Sequence, residues 1–477
     1  NNDLKNLFFM KKIFVFLISF FMTNLLFAQT ENYKTAADQF QTKYNAGKFD
    51  DIFNSFSIEM KQALPLESTK EFLTSLKTQV GKIENKEFIK YEKGTYAAYK
   101  TKFEKAVLEV NISLNENNQI NGLFVKPYEK TASSETKTVN ALSKYPTEIA
   151  QKIYSKSKDF PNNTQLSIAV IKNGKTNYYG ITKENDSIKP IENQNKIFEI
   201  GSITKVFTST VLASLVEDKK INLADNVNSY YPFTFNNNIK IRFESLANHS
   251  SGLSRLPENL DLSNEANPYK NYGKKEIEDY LKNILKLENK SAKSYSYSNL
   301  GAGLLGHTLG LSQKTSFQML LKKRIFDRYK MTASFTNSQN LEEKLVKGLN
   351  AEGNPVSNWD FDVLFGGGGI LSTTEDLAKF AAAQFNPKNK ELALTRKPTF
   401  DINEKMKIGL GWHILKSENI QNLYWHNGGT GGYSSSMTVN TENQTAVIIL
   451  SNVSAFNPKM ENIDAICFEL MREMNKK

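Results

Sequence analysis

The sequence predicts an α/β (α+β) protein whose main, antiparallel sheet is assembled from both ends of a long C-terminal domain. Three observations carry this. Strand-like runs flank a mostly helical block over about residues 203–385. Residues 31–128 show helical spacing first and an alternating hairpin afterwards, as a separate small α+β domain would. A small, polar, aperiodic stretch over residues 130–140 lies between the two and reads as a linker, so the domain boundaries are 31–128, 129–141 and 142–477. A chain of 477 residues is too long for one ordinary core, which makes two domains the natural expectation.

The front of the chain reads as an export signal. Residues 1–9 look like upstream sequence, and from Met10 the pattern is Lys11-Lys12, an apolar run over 13–27 and a small residue, Ala28, for cleavage before Gln29. The run is short for a bilayer span of ~20 residues and is interrupted by Ser19, Thr23 and Asn24. No cysteine follows it to carry a lipid. The expectation is a periplasmic or extracellular protein with no stable membrane span after cleavage; the alternative is an uncleaved anchor.

In the small domain, Ala36, Ala37, Phe40 and Tyr44 have helical spacing, and Asn45-Ala46-Gly47 ends that helix. Phe49, Ile52, Phe53 and Phe56 predict a second helix, and Phe72, Leu73, Leu76 and Val80 a third, stopped by Gly81. Leu108, Val110, Ile112 and Leu114 alternate with polar residues as a half-buried strand, and the turn over 115–119 leads into a partner strand over 120–125. This order resembles the cone-shaped nuclear-transport-factor-two-like accessory domains. It also resembles the uncharacterised domain found in front of penicillin-recognising hydrolases. It contains no histidine and no paired carboxylates among apolar residues, which suits a binding or spacer module.

In the long domain a helix carries Ile149, Ile153 and Tyr154. Leu166, Ile168, Val170 and Ile171 form a strand that Asn173-Gly174 turns back into Tyr178-Tyr179. Runs over 423–425, 435–440 and 445–450 read as further strands, and Ile463, Ile466, Cys467, Leu470 and Met474 repeat on one face of a final helix. Cys467 on that stripe reads as packing, and as the sole cysteine it forms no intramolecular disulfide. The net charge of +11 is spread over 61 basic and 50 acidic residues without a Lys/Arg block, which argues against a nucleic-acid partner. The four histidines, His249, His307, His413 and His426, show no zinc-ligand spacing.

Three constellations could do chemistry. Ser202-Ile203-Thr204-Lys205 puts a hydroxyl and an amine on one helical face, where the amine can serve as the base that a serine nucleophile needs. The same Ser-x-x-Lys spacing occurs at Ser134 and Ser155, but only Ser202 is set among Phe198, Ile200, Val206, Phe207, Val211 and Leu212. The plain alternative is a helix-capping serine with a snorkelling lysine. In Tyr297-Ser298-Asn299 a phenol beside a lysine ammonium would be held as phenolate and shuttle protons, and Asn299, projecting to the same side of an extended loop, would orient a substrate amide. In His426-Asn427-Gly428-Gly429 the glycines allow a ligand against the backbone. One N–H there, with that of Ser202, would make an oxyanion hole, and His426 would be a cation or donor at the mouth. Taken alone, the Tyr297 segment reads as a polar turn before an apolar helix, and the alternative for the His426 segment is a glycine-rich hairpin with an exposed histidine.

Taken in order, Ser202-x-x-Lys205, Tyr297-x-Asn299 and His426-x-Gly428 resemble the motif triplet of the serine β-lactamase/penicillin-binding-protein family: class C β-lactamases, D-alanyl-D-alanine carboxypeptidases and esterases. The segments 246–253 and 366–377 fit as well, the latter also reading as a capping box from Ser372 to Glu375. The resemblance implies a β-lactamase/transpeptidase-like antiparallel sheet flanked by helices, with a helical subdomain. It implies Ser202 as nucleophile, Lys205 and Tyr297 managing protons, Asn299 orienting the acyl side, and Ser202 and Gly429 supplying the oxyanion N–H groups. No metal or organic cofactor is called for. His249 is implied to organise its loop, while His307 and His413 read as structural. Where efficient class C enzymes carry lysine-threonine-glycine, this chain has His426-Asn427-Gly428, which turns the expected substrate toward a small or peptidoglycan-derived amide or ester rather than a β-lactam. The other reading is a non-catalytic ligand- or partner-binding protein.

Overall fold

The fold is given by a computed structural model that describes residues 31–92, 96–128, 138–264, 266–287, 294–417 and 420–476. The expected export signal, the Ser134 motif and most of the expected linker lie outside these residues. The chain divides into two compact units between residues 133 and 134.

Among the described residues, the first unit stacks four helices on one four-stranded antiparallel sheet. Helix α1 (31–46) ends at Gly47, whose φ of 70° suits a residue without a Cβ. Then follow α2 (Phe49–Asn54), α3 (Ile58–Ala63) and α4 (Leu66–Val80). Strands β1 (Ile83–Glu92), β2 (Tyr96–Phe103), β3 (Val107–Leu114) and β4 (Ile120–Pro127) pair in sequence order. Tyr44, Phe56, Leu73, Ala97, Phe103 and Ile112 form its core. The periodicity predicts three helices; the structure adds α3, which is only six residues long and buries Met60 alone. It also adds β1 and β2 to the predicted hairpin. In β1, register shifts between Ile83 and Asn85 and between Phe88 and Lys90 break the period-two alternation that would have betrayed the strand.

The second unit is built on a sheet of eleven strands among the described residues, nearly all antiparallel. Its first strands are β5 (Val139–Asn140), β6 (Gln165–Lys172), β7 (Lys175–Tyr178), β8 (Gly180–Glu184) and β9 (Ser187–Ile191), with helix α5 (Thr147–Ser157) before β6. A two-residue turn at Asn173 and Gly174, both at positive φ, joins β6 to β7. The helical block follows. Strand β10 (Phe198–Glu199) leads into α6 (Thr204–Glu217), α7 (Phe243–Ala247), α8 (Lys274–Asp279), α9 (Asn299–Ser312) and α10 (Phe317–Leu321). Strand β11 (Leu371–Ser372), which pairs with β10, precedes α11 (Thr374–Ala383) and α12 (Lys390–Thr395). The chain returns to the sheet as β12 (Phe400–Asn403), β13 (Met406–Ile408), β14 (His413–Ser417), β15 (Ile420–Gly429), β16 (Ser434–Asn440) and β17 (Thr445–Ser451), and ends on α13 (Glu461–Met474).

Strand β17 pairs with β6 residue for residue, Ile449 opposite Ile168 and Ile448 opposite Ala169, so the two ends of the domain meet in mid-sheet as the sequence predicts. Both faces are covered. Ile168, Val170, Val447 and Ile449 pack with α5 and α13, whereas Ala169, Ile171 and Ile448 face the helical block. Covering on both sides is why these strands read as unbroken apolar runs. Cys467 is fully buried on α13, in line with a packing role. The capping box is corrected: the side chain that caps α11 is Thr373, accepting from Asp376 N, and the Ser372 hydroxyl instead meets Ser334. No helix among the described residues is long and apolar enough to cross a membrane.

Candidate active site

Helix α6 is buried along most of its length, and its hydroxyls at Thr208, Thr210 and Ser214 bond back to carbonyls of the same helix, as polar groups in the middle of a core must. Ser202 sits just before it, in a single 3₁₀ turn (Gly201–Ile203). The residue that caps α6 is Ile203, with no side-chain cap, so Ser202 does not serve as an N-cap. Lys205 does not snorkel either. It is 2% exposed, with Nζ 2.8 Å from Ser202 Oγ and 2.7 Å from the Gly367 carbonyl. Burial, with a smaller contribution from the Arg255 charge, holds its amine well below the ordinary lysine range. An uncharged amine donates to the Gly367 carbonyl and keeps a lone pair for the serine proton.

The glycine run over 366–369 explains how that carbonyl gets there. Gly366 packs against the backbone of α9 at Ala302 and Gly306, its carbonyl accepts from Thr208 Oγ1 at 2.8 Å, and a side chain at 366 would collide with Ala302 O. These glycines bring one loop close to two helices at once.

Tyr297 lies against Lys205, whose Nζ is 4.8 Å from the centre of its ring, and hydrogen-bonds with Ser202. Burial pushes its phenol up to about 12, with the Ser202 hydrogen bond and the Arg255 charge opposing. The phenolate expectation is therefore corrected: with Lys205 uncharged there is no ammonium to stabilise it, and Tyr297 is a phenol that can donate. Ser298 is structural. Its hydroxyl caps α9 by accepting from Gly301 N at 2.8 Å and donates to the Ser254 carbonyl at 2.7 Å. Asn299 is the first residue of α9 rather than part of an extended loop. Its Nδ2 reaches the Tyr269 hydroxyl at 3.4 Å, and its buried Oδ1 has no partner.

His249 holds this loop together at a φ of 59°, with Nδ1 accepting from Ser298 N at 3.2 Å and its ring 4.6 Å from that of Tyr297. That is the loop-organising part the resemblance implies.

Strand β15 brings the third constellation. His426 is 1% exposed and its Nδ1 donates to the Asn427 carbonyl at 2.6 Å. Burial keeps it well below the ordinary histidine range, so, of the cation or donor expected here, it is a neutral ring. With Nδ1 carrying the proton, Nε2 is an acceptor, and it is buried without a partner. The Asn427 side chain points away, donating to Asp464 at 2.7 Å. Gly428 and Gly429 interlock with the serine turn. A Cβ on Gly428 would strike the Ile200 carbonyl and lie 2.8 Å from Ser202 N, and one on Gly201 would lie 2.6 Å from Gly429 N. The backbone N–H groups of Ser202 and Gly429 thus belong to two segments in direct contact.

The structure brings Ser202, Lys205, Tyr297, Asn299, His426, Gly428 and Gly429 to one place. It adds residues that the motifs do not contain. His413, read from sequence as merely structural, stands 5.2 Å from the His426 ring and bonds Tyr295 through Nε2 at 2.9 Å; burial pushes it down to about 4. Tyr269 stacks on Phe361 and meets Trp359 edge-on, forming an aromatic wall beside Asn299. Glu199 anchors that wall by accepting from Asn358 Nδ2 and Trp359 N at 2.7 and 2.8 Å. His307 lies elsewhere, on α9 against Tyr231. Among the described residues no group of three or more His, Cys, Asp or Glu side chains could hold a metal ion.

Comparison with known proteins places this geometry in context. Residues 162–466 match a sequence model of the Beta-lactamase family, and residues 37–123 match that of a protein of unknown function, DUF3887. A Pseudomonas fluorescens protein named Beta-lactamase is 26% identical over 261 residues, covering 52% of this chain and 69% of that one. Protein flp of Staphylococcus aureus strain N315 is 25% identical over 318 residues, 62% of this chain, and the match spans only 61% of its own length. A beta-lactamase/D-alanine carboxypeptidase from Pseudomonas syringae superposes with a TM-score of 0.59 at 20% identity, covering 68% of this chain and 98% of that chain. A class C beta-lactamase superposes with a TM-score of 0.58 at 19% identity, covering 69% and 98%.

Proposed function

Because the chain belongs to the beta-lactamase family, we propose that it is a serine hydrolase that forms an acyl-enzyme on Ser202 and cleaves an amide or ester. The observation that carries this is the fully buried Lys205 amine, 2.8 Å from Ser202 Oγ and seated on the Gly367 carbonyl. A lysine buried without a carboxylate partner is costly to keep charged, and as a free amine it is a base within reach of the hydroxyl proton. Ser202 Oγ attacks the substrate carbonyl carbon as its proton passes to Lys205 Nζ. The oxyanion is met by the N–H groups of Ser202 and Gly429. Tyr297, a phenol that hydrogen-bonds Ser202 and lies against Lys205, donates to the leaving nitrogen or oxygen and is reprotonated from Lys205. A water then attacks the ester by the same route in reverse, freeing the acid.

Within this class the neutral His426 offers a leaving-group carboxylate no positive charge, which favours an ester or amide whose leaving group carries none over β-lactam turnover. We further propose a small or peptidoglycan-derived substrate and an exported protein. Export rests on the pattern of residues 10–28 and is tested by fractionation and by the N-terminal residue of the mature protein.

The hydrolase reading is tested by incubation with a fluorophosphonate and with a fluorescent penicillin, followed by intact mass on the wild type and on Ser202→Ala. A single adduct on wild type that is absent from the variant is expected. No adduct with any probe would leave a non-catalytic binding protein as the answer, and fast hydrolysis of a chromogenic cephalosporin would reverse the substrate ranking.

A further inference from the structure

Arg255 stands in the site without a part in that chemistry. Its main-chain carbonyl accepts from Asn299 N at 2.9 Å and from Leu300 N at 3.2 Å, so the start of α9 fixes it beside Asn299. Its guanidinium is exposed, with Cζ 5.3 Å from the centre of the Tyr297 ring, and pairs with no carboxylate among the described residues. Lys205, His249, His413 and His426 are all held uncharged by burial, so Arg255 brings the positive charge that a substrate meets at this ring.

The atoms beside it say what would lie between that charge and the serine. Asn299 Oδ1 is a buried acceptor with no partner, and such an atom is satisfied by an N–H of the ligand. An arginine fork matches a carboxylate through two parallel N–H···O bonds. We infer that the acyl side of the substrate carries an amide N–H for Asn299 and, beyond it, a carboxylate held by Arg255. The substrate class is thus an acidic N-acylamino or peptidyl ester or amide. The placement beside Asn299, rather than toward β15, assigns the carboxylate to the acyl portion and not to the leaving group. Arg255 selects the substrate; Ser202, Lys205 and Tyr297 do the chemistry. The inference rests on the hydrolase reading.

The test uses the full chain and two probes, the p-nitrophenyl ester of N-succinylglycine and the same ester with its succinyl carboxylate methylated. The wild type is expected to favour the free carboxylate in kcat/KM by about 10- to 100-fold, the range for a hydrogen bond to a charged group. Arg255→Gln should bring that ratio near one, Arg255→Glu should invert it, and raised salt should narrow it in the wild type. The ratio is the informative quantity, because removing a charge near Lys205 alters both esters alike. Fluorophosphonate labelling of each variant shows that it is folded. A wild-type ratio near one, or a ratio unchanged in Arg255→Gln, overturns the inference while leaving the hydrolase intact. If neither ester nor the fluorophosphonate acylates wild-type Ser202, the hydrolase reading falls and this inference with it.

Discussion

Replacing Lys205 by methionine separates the two things this residue does. In the folded protein its amine is buried, touches Ser202 Oγ and Gly367 O, and is kept uncharged. In the unfolded chain it regains the ordinary lysine value of 10.5. Between the depressed folded value and 10.5, the unfolded chain therefore holds about one more proton than the fold does. Stability rises with pH wherever the unfolded state binds more protons, here by about 1.4 kcal/mol per pH unit. Methionine has similar length and no proton to lose, so the variant lacks this slope. The free-energy difference, wild type minus Lys205→Met, should climb by about 1.4 kcal/mol per unit as pH rises above the depressed folded value toward 10.5. A constant offset of about 1 kcal/mol arises from the Gly367 carbonyl left without its donor. Urea unfolding at pH 7.5, 8.5 and 9.5 measures this by tryptophan fluorescence, since the chain's three tryptophans, Trp359, Trp412 and Trp425, all lie in the second unit. Acylation by an activated ester should fall by about 10²- to 10⁴-fold in the same variant, as for loss of a general base. A stability difference that is flat in pH, or that slopes the other way, would mean the fold holds a lysine cation. The base assignment would then be wrong.

Tyr297→Phe should lower turnover of an unactivated amide or ester by about 10²-fold, the low end for loss of a positioned acid. Since burial pushes the phenol up to about 12, wild-type kcat/KM should show no fall from Tyr297 ionisation between pH 8 and 10; a decline there that vanishes in the variant would contradict the phenol assignment. Gly428→Ala puts a methyl against the Ile200 carbonyl, 2.6 Å from Ser435 Oγ and 2.8 Å from Ser202 N. A loss of about 1–3 kcal/mol in stability is expected from overpacking, read as a lower urea midpoint. Turnover should drop by about 10²- to 10³-fold if Ser202 N leaves the oxyanion position. Normal turnover in this variant would remove that backbone pair from the reaction.

Much of this molecule is legible in the chain. The apolar runs from Leu166 to Ile171 and from Thr445 to Leu450 are enough to place both ends of the domain in one sheet, because such strands must be covered on both faces. The order of Ser202, Lys205, Tyr297, Asn299, His426 and Gly428, with the apolar setting of the first two, is enough to point at the site. What local pattern hides is where it is broken: the bulged strand β1, the alanines of β2, and the six-residue α3, whose single buried residue leaves no period to read.

Charge state is the part that only the tertiary structure decided. Sequence spacing sets Ser202 and Lys205 on one turn, but a pKa is the sum of desolvation and fields from every element packed around the group. The neutral Lys205, the phenol of Tyr297 and the neutral His426 arise because α6, α9, β14, β15 and the glycine loop close on one point and exclude water. The pairing of β14 with β15, which sets His413 opposite Trp425, puts His413 beside His426, and the bonds from the start of α9 to the Arg255 carbonyl put Arg255 over Tyr297. Neither neighbour is announced by any motif, because nothing in a local window records which distant residue a fold will bring to its side.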